Sequence, residues 1–280
     1  MSYELVIVGA GITGLRAAIL AYKLGAKDVL IVDYEKNRGG FGSKLFDRPE
    51  FADEKKLIEM SDELPYEFWF QSTVVGFFAG EEGENHQLSV QTPLGTRDID
   101  ARKVLLCSGS LEKPREAHMI PGSRPAGVMT PYMVSGLLER GFLPGNDCIV
   151  IENSKFAKTI ANVLAEKGIK VKRIPGETSK ITNVKGNARV SEVEITDLKT
   201  DETYSYPCDT LIFSKGRIPC TFYLKGTRVD LDDKQFIITN DEGKTNIPGI
   251  GALGSCTNRA SQFDVFSQKT TEIIQKFIAD

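Results

Sequence analysis

The chain has 280 residues, of which 41% are hydrophobic and 26% charged, a composition typical of a protein that folds around a core. Its 35 basic and 38 acidic side chains give a formal net charge of −3. This charge argues against nucleic acid and anionic membrane as partners, because both select for basic surfaces. No apolar run reaches the ~18 residues of a membrane span, and residues 1–4 lack the features of a signal peptide. We therefore expect a cytoplasmic protein.

The predicted elements begin with a strand, helix, strand unit. Leu5–Val8 and Val29–Val32 are short apolar runs, as expected for parallel strands that are buried on both faces. Between them, Leu15–Leu24 is rich in helix formers and is followed by Gly25. Further strands are predicted at residues 68–78, at 87–92 and 97–100 as a hairpin, and at 104–107.

Residues 111–130 are rich in proline and glycine, which indicates a linker. Beyond the linker the opening pattern repeats. The predictions are a strand at 148–151, a helix at 155–167 and a strand at 169–174. Hairpin-like strands within 181–206, a strand at 210–213 and a terminal helix at about 261–278 follow. The expected fold is α/β, with two Rossmann-like three-layer domains, antiparallel β excursions, and a C-terminal segment that completes the first domain. We place the first domain at 1–115 plus 235–280 and the second at 116–234.

A dinucleotide fingerprint follows the first strand. Gly9, Gly11 and Gly14 have the G-x-G-x-x-G spacing, between a predicted strand and a predicted helix. In this motif the first glycine makes a tight turn, the second admits a pyrophosphate at the helix N-terminus, and the third packs helix against strand. Asp33 lies 19 residues after Gly14, close to the position of the acid that binds the adenosine ribose.

Three further features favour FAD over NAD. Gly39-Gly40 lets the chain pass close to a bulky cofactor, and Ser108-Gly109 resembles the Thr-Gly turn of flavoproteins. Residues 245–254 resemble the second FAD motif of the pyridine nucleotide-disulfide reductase superfamily. In that motif a helix directs its N-terminus at the flavin after the final glycine, here Gly254. Ser255 stands where the superfamily normally has aspartate.

The whole chain resembles the thioredoxin-reductase-like flavoproteins. Residues 120–130 and 263–267 are also similar to a smaller group, the FAD-dependent oxidoreductases associated with anaerobic glycerol-3-phosphate dehydrogenase and the FAD subunits of opine oxidase and hydrogen cyanide synthase. The candidate cofactor-binding residues are Gly9, Gly11, Ile12, Thr13, Gly14, Asp33, Tyr34, Gly39, Gly40, Ser108, Gly109, Gly254, Ser255 and Phe263.

The second strand, helix, strand unit departs from the family. Glu152 and Ser154 occupy positions where a nicotinamide site has glycine. Their side chains obstruct the turn, and two like charges ~4 Å apart repel by roughly 4 kcal/mol at an effective dielectric of about 20. We therefore expect NAD(P) binding to be weak or absent, unless Glu152 turns to solvent and a weak site persists.

The cysteines and histidines indicate neither a dithiol nor a metal site. No two of the five cysteines have Cys-x-x-Cys spacing, and there are only two histidines. The sequence identifies no catalytic acid, base or thiol.

We expect an FAD-dependent oxidoreductase that passes electrons between FAD and a small substrate or a redox protein. We expect a homodimer or, by analogy with the related subunits, a heteromeric complex. Two alternatives stay open: an NAD(P)H-dependent reductase of the thioredoxin-reductase type, and a non-catalytic flavin-binding structural or regulatory subunit.

Overall fold

The computed structural model describes residues 1–81, 83–262 and 264–280, and the chain divides into two compact units. The first unit comprises residues 1–43, 51–111 and 218–280, and the second comprises 44–50 and 112–217. Both boundaries lie earlier in the chain than the sequence predicted. The larger difference concerns residues 218–234, which belong to the first unit because Leu224 and Val229 are buried in its core.

The strands in chain order are β1 (Ser2–Val8), β2 (Val29–Val32), β3 (Glu67–Trp69), β4 (Thr73–Phe78), β5 (His86–Thr92), β6 (Gly95–Leu106), β7 (Ser110–Glu112), β8 (Val128–Met129), β9 (Asp147–Glu152), β10 (Lys170–Pro175), β11 (Ser179–Gly186), β12 (Val190–Asp197), β13 (Thr203–Pro207), β14 (Thr210–Ile212), β15 (Arg217–Pro219) and β16 (Ile250–Ala252). The α-helices are α1 (Ile12–Lys23), α2 (Ala52–Asp62), α3 (Pro131–Glu139), α4 (Lys155–Glu166) and α5 (Gln268–Ala279). None of the helices in the described part of the chain is long and apolar enough to cross a membrane.

One seven-stranded sheet forms the first unit, in the order β3-β2-β1-β6-β5-β4, with β16 also beside β6. The strands β3, β2, β1, β6 and β16 run parallel, whereas β5 pairs antiparallel with both β4 and β6. The predicted strands 97–100 and 104–107 are one strand, because no glycine or proline interrupts the chain from Thr96 to Leu106. The single strand β6 therefore joins the antiparallel and parallel parts of the sheet.

Alternating residues of β1 enter the two cores of this unit. Leu5 and Ile7 face one core with residues of α1 and α5, and Val6 and Val8 face the other with residues of β5 and β6. The terminal helix starts at Gln268 and not at residue 261. The preceding segment is held as a turn because the Thr270 hydroxyl donates to the Asp264 carbonyl (2.7 Å), and Ser267 then caps the helix.

The second unit repeats the strand, helix, strand arrangement, as predicted. Its parallel sheet has the order β10-β9-β14-β8, and β11, β12 and β13 form an antiparallel sheet. Apolar side chains of β9, β14 and β12, including Ile149, Leu211 and Val193, meet in one core. The α/β fold with two Rossmann-like units is thereby confirmed.

Candidate functional site

The turn after β1 requires glycine at two positions. Gly9 has φ 112°, and a Cβ there would overlap the Cys107 carbonyl oxygen. A Cβ on Gly14 would overlap the Gly9 carbonyl oxygen, so α1 packs directly on the turn. These two glycines hold the helix N-terminus at the carboxyl end of the central strands β1 and β6, as the fingerprint predicts.

The N-terminus of α1 is open toward a ligand. Gly11 is its N-cap residue, no side chain caps the helix, and no acidic residue lies in its first turn. A Cβ on Gly11 would have nothing within 4 Å. The first-turn N–H groups of Ile12, Thr13 and Gly14 therefore present a positive helix end to open space, which suits a diphosphate.

Asp33 ends β2 beside this turn and is buried, with 8% of its surface exposed. Its Oδ2 accepts a hydrogen bond from the Ala10 N–H (2.5 Å), and its Oδ1 accepts one from the Glu35 N–H (2.7 Å). Burial raises the pKa of the carboxyl, and the two backbone donors oppose this shift. The two bonds orient the carboxylate at the position of a ribose-binding acid.

Two of the predicted neighbours of Asp33 also lie along this edge. The Gly39 N–H donates to the Ala10 carbonyl (2.8 Å), which brings Gly39-Gly40 against Gly11. Tyr34 is 47% exposed, and its ring centroid lies 5.6 Å from that of Phe41. The exposed Tyr34 ring, packed against the half-buried Phe41 beside Asp33, offers a stacking surface for a base.

The 254–255 turn completes the site from the other side. A Cβ on Gly254 would lie 2.7 Å from Thr13 Oγ1, and a Cβ on Gly109 would lie 3.9 Å from Ser255 Oγ. The structure thus brings the predicted residues around Gly11, Gly40, Gly109 and Gly254 together. Phe263, the remaining predicted residue, lies outside the described residues.

The family motif that residues 245–254 resemble has a helix after its final glycine, whereas here a turn follows Gly254. The Thr257 N–H and hydroxyl both donate to the Gly254 carbonyl, forming a turn, and the Asn258 N–H donates to the Ile237 carbonyl. These bonds tie residues 257 and 258 to the preceding turn and to Ile237, and α5 begins at Gln268. The sequence assigned two helix N-termini to this site, that of α1 and that of a helix after Gly254. Among the described residues, only α1 supplies a helix dipole there.

The sequence did not single out the segment 220–223, which borders the same turn. The Cys220 N–H donates to the Gly109 carbonyl (3.0 Å), and the nearby Asp33 charge adds to burial in raising the pKa of the Cys220 thiol. The hydroxyls of Ser108 and Tyr223 are buried without a hydrogen-bond partner. A buried unsatisfied hydroxyl costs about 1–3 kcal/mol. No local pattern in the sequence pointed to residues 220–223, because their position follows from the return of the chain at residue 218.

The corresponding turn of the second unit is occupied by its own side chains. Ser154 is the N-cap of α4, and its hydroxyl accepts a hydrogen bond from the Ala157 N–H (3.1 Å). Asn153 fills the space beside Gly176, where an added Cβ would lie 2.5 Å from the Asn153 Cβ. The helix end that would receive a phosphate is therefore already capped.

The surroundings of the Glu152 carboxylate differ from those expected from the sequence. Its side chain is only 18% exposed and forms an ion pair with Arg173 (3.3 Å), so it neither turns to solvent nor stands as an uncompensated charge. The repulsion expected from the sequence is therefore reduced. This turn differs from the one at Gly9 in the side chains that obstruct it and in the Ser154 cap, and not in charge alone.

Strand register extends the contrast between the two units. In the first unit Val8 pairs with Val32, and Gly9 and Asp33 follow them. In the second, Ile151 pairs with Ile174, and Glu152 and Pro175 follow. Pro175 therefore takes the position equivalent to Asp33, and it has no side-chain acceptor for a ribose hydroxyl.

A second helix end in this unit is also capped from within. Thr130 Oγ1 accepts a hydrogen bond from the Met133 N–H (3.3 Å), and Glu112 Oε2 accepts one from the Tyr132 N–H (2.8 Å). The Tyr132 ring packs edge-on against Phe156 of α4, with centroids 4.6 Å apart. The first turns of α3 and α4 thus hold side-chain oxygens of the chain itself.

All five cysteines are described and carry free thiols. Burial raises the pKa of Cys148 and of Cys256 to about 11, and that of Cys208 to about 12. These thiols are protonated near neutral pH, whereas the nucleophilic form is the thiolate. Within the described ranges, no three His, Cys, Asp or Glu side chains cluster as metal ligands would.

Known proteins are similar to this chain in part or over nearly all of its length. The family model for "Pyridine nucleotide-disulphide oxidoreductase" matches residues 146–271. The thioredoxin reductase of Treponema pallidum is 25% identical, covering 93% of this chain and 90% of its own length. A ferredoxin–NADP reductase of Streptococcus gordonii is also 25% identical, covering 95% of this chain and 89% of its own.

The fold has a solved counterpart of the same extent. The crystal structure of Lactococcus lactis thioredoxin reductase superposes with a TM-score of 0.61 and 19% identity, covering 99% of this chain and 96% of that one. The two-unit architecture is therefore shared over the full described length. The chain is thus similar to thioredoxin reductases over nearly its whole length, and residues 146–271 match the pyridine nucleotide-disulphide oxidoreductase family model.

Proposed function

We propose that the chain is an FAD-dependent oxidoreductase that passes electrons between FAD and a small substrate or a redox protein, without a tight NAD(P) site. One observation carries this proposal: two turns of the same topology differ in every feature that a dinucleotide needs. Gly9 and Asp33 flank an open helix end in the first unit, whereas Glu152 and Pro175 flank a capped one in the second.

The residues of the first unit fit FAD. The open end of α1 suits the diphosphate, Asp33 suits a ribose hydroxyl, and Tyr34 with Phe41 suits the adenine ring. When bound, FAD supplies the capacity to accept and release a hydride or single electrons. The chain contributes binding and orientation, and the elevated thiol pKa values argue against a dithiol as an intermediate carrier.

The second unit disfavours a nicotinamide dinucleotide in three ways. A phosphate must displace the Ser154 hydroxyl, whose capping bond is worth about 1 kcal/mol. It must also pass the Asn153 and Glu152 side chains, and its ribose gains no acceptor from Pro175. We infer that electrons reach FAD from a substrate or a partner protein and not from NAD(P)H.

The first alternative is an NAD(P)H-dependent reductase. The name of the relative from Streptococcus gordonii includes NADP, and the thioredoxin reductases share the fold. The second alternative, a non-catalytic flavin-binding subunit, takes up FAD without turnover. The similarity of residues 120–130 to FAD subunits of opine oxidase and cyanide synthase supports a place in a heteromeric complex.

A spectrum and a reduction experiment test the proposal. The purified chain is expected to show flavin absorbance and to release FAD, not FMN, on denaturation. NADH and NADPH are expected to bleach the flavin slowly or only at millimolar concentration, whereas dithionite reduces it at once. A colourless chain that takes up no added FAD contradicts the proposal, and micromolar bleaching by NADPH favours the first alternative.

A further inference from the structure

His86 is a buried imidazole at the end of the sheet opposite the Gly9 turn. It is the first residue of β5 and pairs with Ala101 of β6, which pairs with Tyr3 near the start of β1. Only 2% of its surface is exposed, and its ring stacks on that of Phe77, with centroids 6.4 Å apart. The proposed function gives this titratable group no role.

The two ring nitrogens face different parts of the backbone. Nδ1 accepts a hydrogen bond from the Gly80 N–H (3.2 Å), so the neutral ring carries its proton on Nε2. Nε2 lies against the turn that leads into β16, since a Cβ added to Gly249 would lie 2.7 Å from it. The Gly249 carbonyl accepts a further bond from the Val104 N–H of β6 (2.9 Å). The neutral ring therefore packs between two backbone segments, at Gly80 and at Gly249.

The surroundings of the ring disfavour a positive charge. Burial lowers the pKa of His86, the Pro248 carbonyl opposes this shift, and the Arg228 charge adds to it. The Arg228 guanidinium is held beside the neighbouring backbone because it donates to the Ala79 carbonyl (2.8 Å) and to Glu81 Oε1 (2.8 Å). Protonation of the buried ring is therefore opposed both by desolvation and by a fixed cation.

A cavity of about 720 Å³ adjoins the ring. Neither β4 nor the 245–250 turn contributes a charged side chain to these surroundings. Among the described residues, the charged lining of the cavity consists of three carboxylates and three cations, namely those of Glu81, Glu84, Asp280, Arg102, Lys103 and Lys244. Rotation about the Cα–Cβ bond moves the His86 ring from its buried position toward this space, where water and carboxylates are available to an imidazolium.

We propose that His86 is a pH-sensitive latch of the first unit: the neutral ring holds Gly80 and the Gly249 turn in place, and the protonated ring leaves both for the cavity. The added proton occupies the Nδ1 lone pair that accepts from Gly80, so two donors face each other. At the same time Gly249 loses the ring against which it packs. Because β16 begins at the next residue and leads to Gly254, the latch acts on the chain that forms one side of the candidate site.

Hydrogen exchange of backbone amides, followed by NMR on the full chain, tests the latch at two bonds. Because burial lowers the pKa of His86, release is expected below the ordinary histidine value of about 6.5, and exchange is compared at about pH 7.5 and about pH 5. The protection factors of the Gly80 and Val104 amides are expected to fall roughly fivefold at the lower pH, the effect of one lost hydrogen bond. The Cys107 N–H, which donates to the Val8 carbonyl (2.8 Å) at the other end of the sheet, is expected to keep its protection factor.

The two histidines of the chain supply matched variants. His86→Asn places an amide oxygen close to the position of Nδ1 and cannot gain a proton, so its Gly80 and Val104 amides are expected to stay protected at both pH values. His118→Asn, in the second unit, is expected to show the full fall. This variant also leaves His86 as the one histidine, so its imidazole C–H signals report protonation of that ring directly, even if His86→Asn does not fold.

Four results overturn the latch: a ring that stays neutral down to the pH at which the chain unfolds, constant protection at Gly80 and Val104 while the ring is protonated, an equal fall at Cys107, and a fall that persists in His86→Asn. The second shows that the charged ring stays in place, the third that the whole unit loosens, and the fourth that another group titrates. None of these measurements requires bound FAD, so the latch and the proposed function are tested separately.

Discussion

Restoring glycine at positions 152 and 154 tests the difference between the two turns most directly. In the second unit, Ser154 caps α4 through the Ala157 N–H, and Glu152 is paired with Arg173 at the place equivalent to Gly9. The variant Glu152→Gly/Ser154→Gly removes the cap and both side chains. Without the cap, a bound phosphate no longer has to displace the Ser154 hydroxyl, which costs about 1 kcal/mol. Removal of the two side chains from the turn favours binding further. We expect affinity for NADPH or NADH to rise at least tenfold, about 1.4 kcal/mol.

The assay is titration of the protein with each nucleotide, followed by the rate of flavin bleaching at saturation. FAD content should stay constant, since both positions lie in the second unit. Glycine also loosens the junction between strand and helix and costs about 1 kcal/mol of stability per site. A thermal melt therefore accompanies each titration.

Two single variants separate the contributions. Ser154→Ala removes the capping oxygen and keeps a Cβ, whereas Glu152→Gly leaves the cap and releases Arg173. If the cap dominates, most of the gain appears in Ser154→Ala. Unchanged nucleotide affinity in the double variant, with the fold intact, would refute the reasoning, as would micromolar affinity in the unsubstituted chain.

Three further predictions concern the first unit and the thiols. Gly14→Ala places a methyl group on the Gly9 carbonyl oxygen and is expected to abolish FAD retention and lower the melting temperature, as read from flavin absorbance and a thermal scan. The Cys148→Ser/Cys208→Ser variant is expected to keep its FAD content and its reduction by dithionite, and a charge-transfer band lost in that variant would contradict this. Because burial raises the pKa of Asp33, the stability that its protonated form provides is lost as pH rises through the folded-state pKa. Urea denaturation should therefore show that the FAD-free Asp33→Asn variant gains stability relative to the unsubstituted chain as the pH rises from acid to neutral. A difference in stability that does not change with pH would show that the carboxyl does not titrate as described.

The local features of the first unit were predictable because they depend on short stretches of chain. The apolar runs 5–8 and 29–32 are too short and too uniformly apolar for surface elements, and the glycine spacing between them specifies the turn. The structure places the predicted strand Val29–Val32 at the same residues. The sequence alone thus predicted the two repeated units, the glycine turn at Gly9 and the lack of glycine at the equivalent positions 152 and 154.

Other properties depend on contacts between residues far apart in sequence, which no periodicity reveals. The limits of the first unit depend on the burial of Leu224 and Val229 in its core. The charge of Glu152 is compensated by Arg173, which follows on a different strand. Likewise, only the return of the chain at residue 218 brings the Cys220 N–H to the Gly109 carbonyl. Local sequence specifies which turns can form, whereas the tertiary structure decides which side chains meet across them, because those contacts are set by packing of the whole unit.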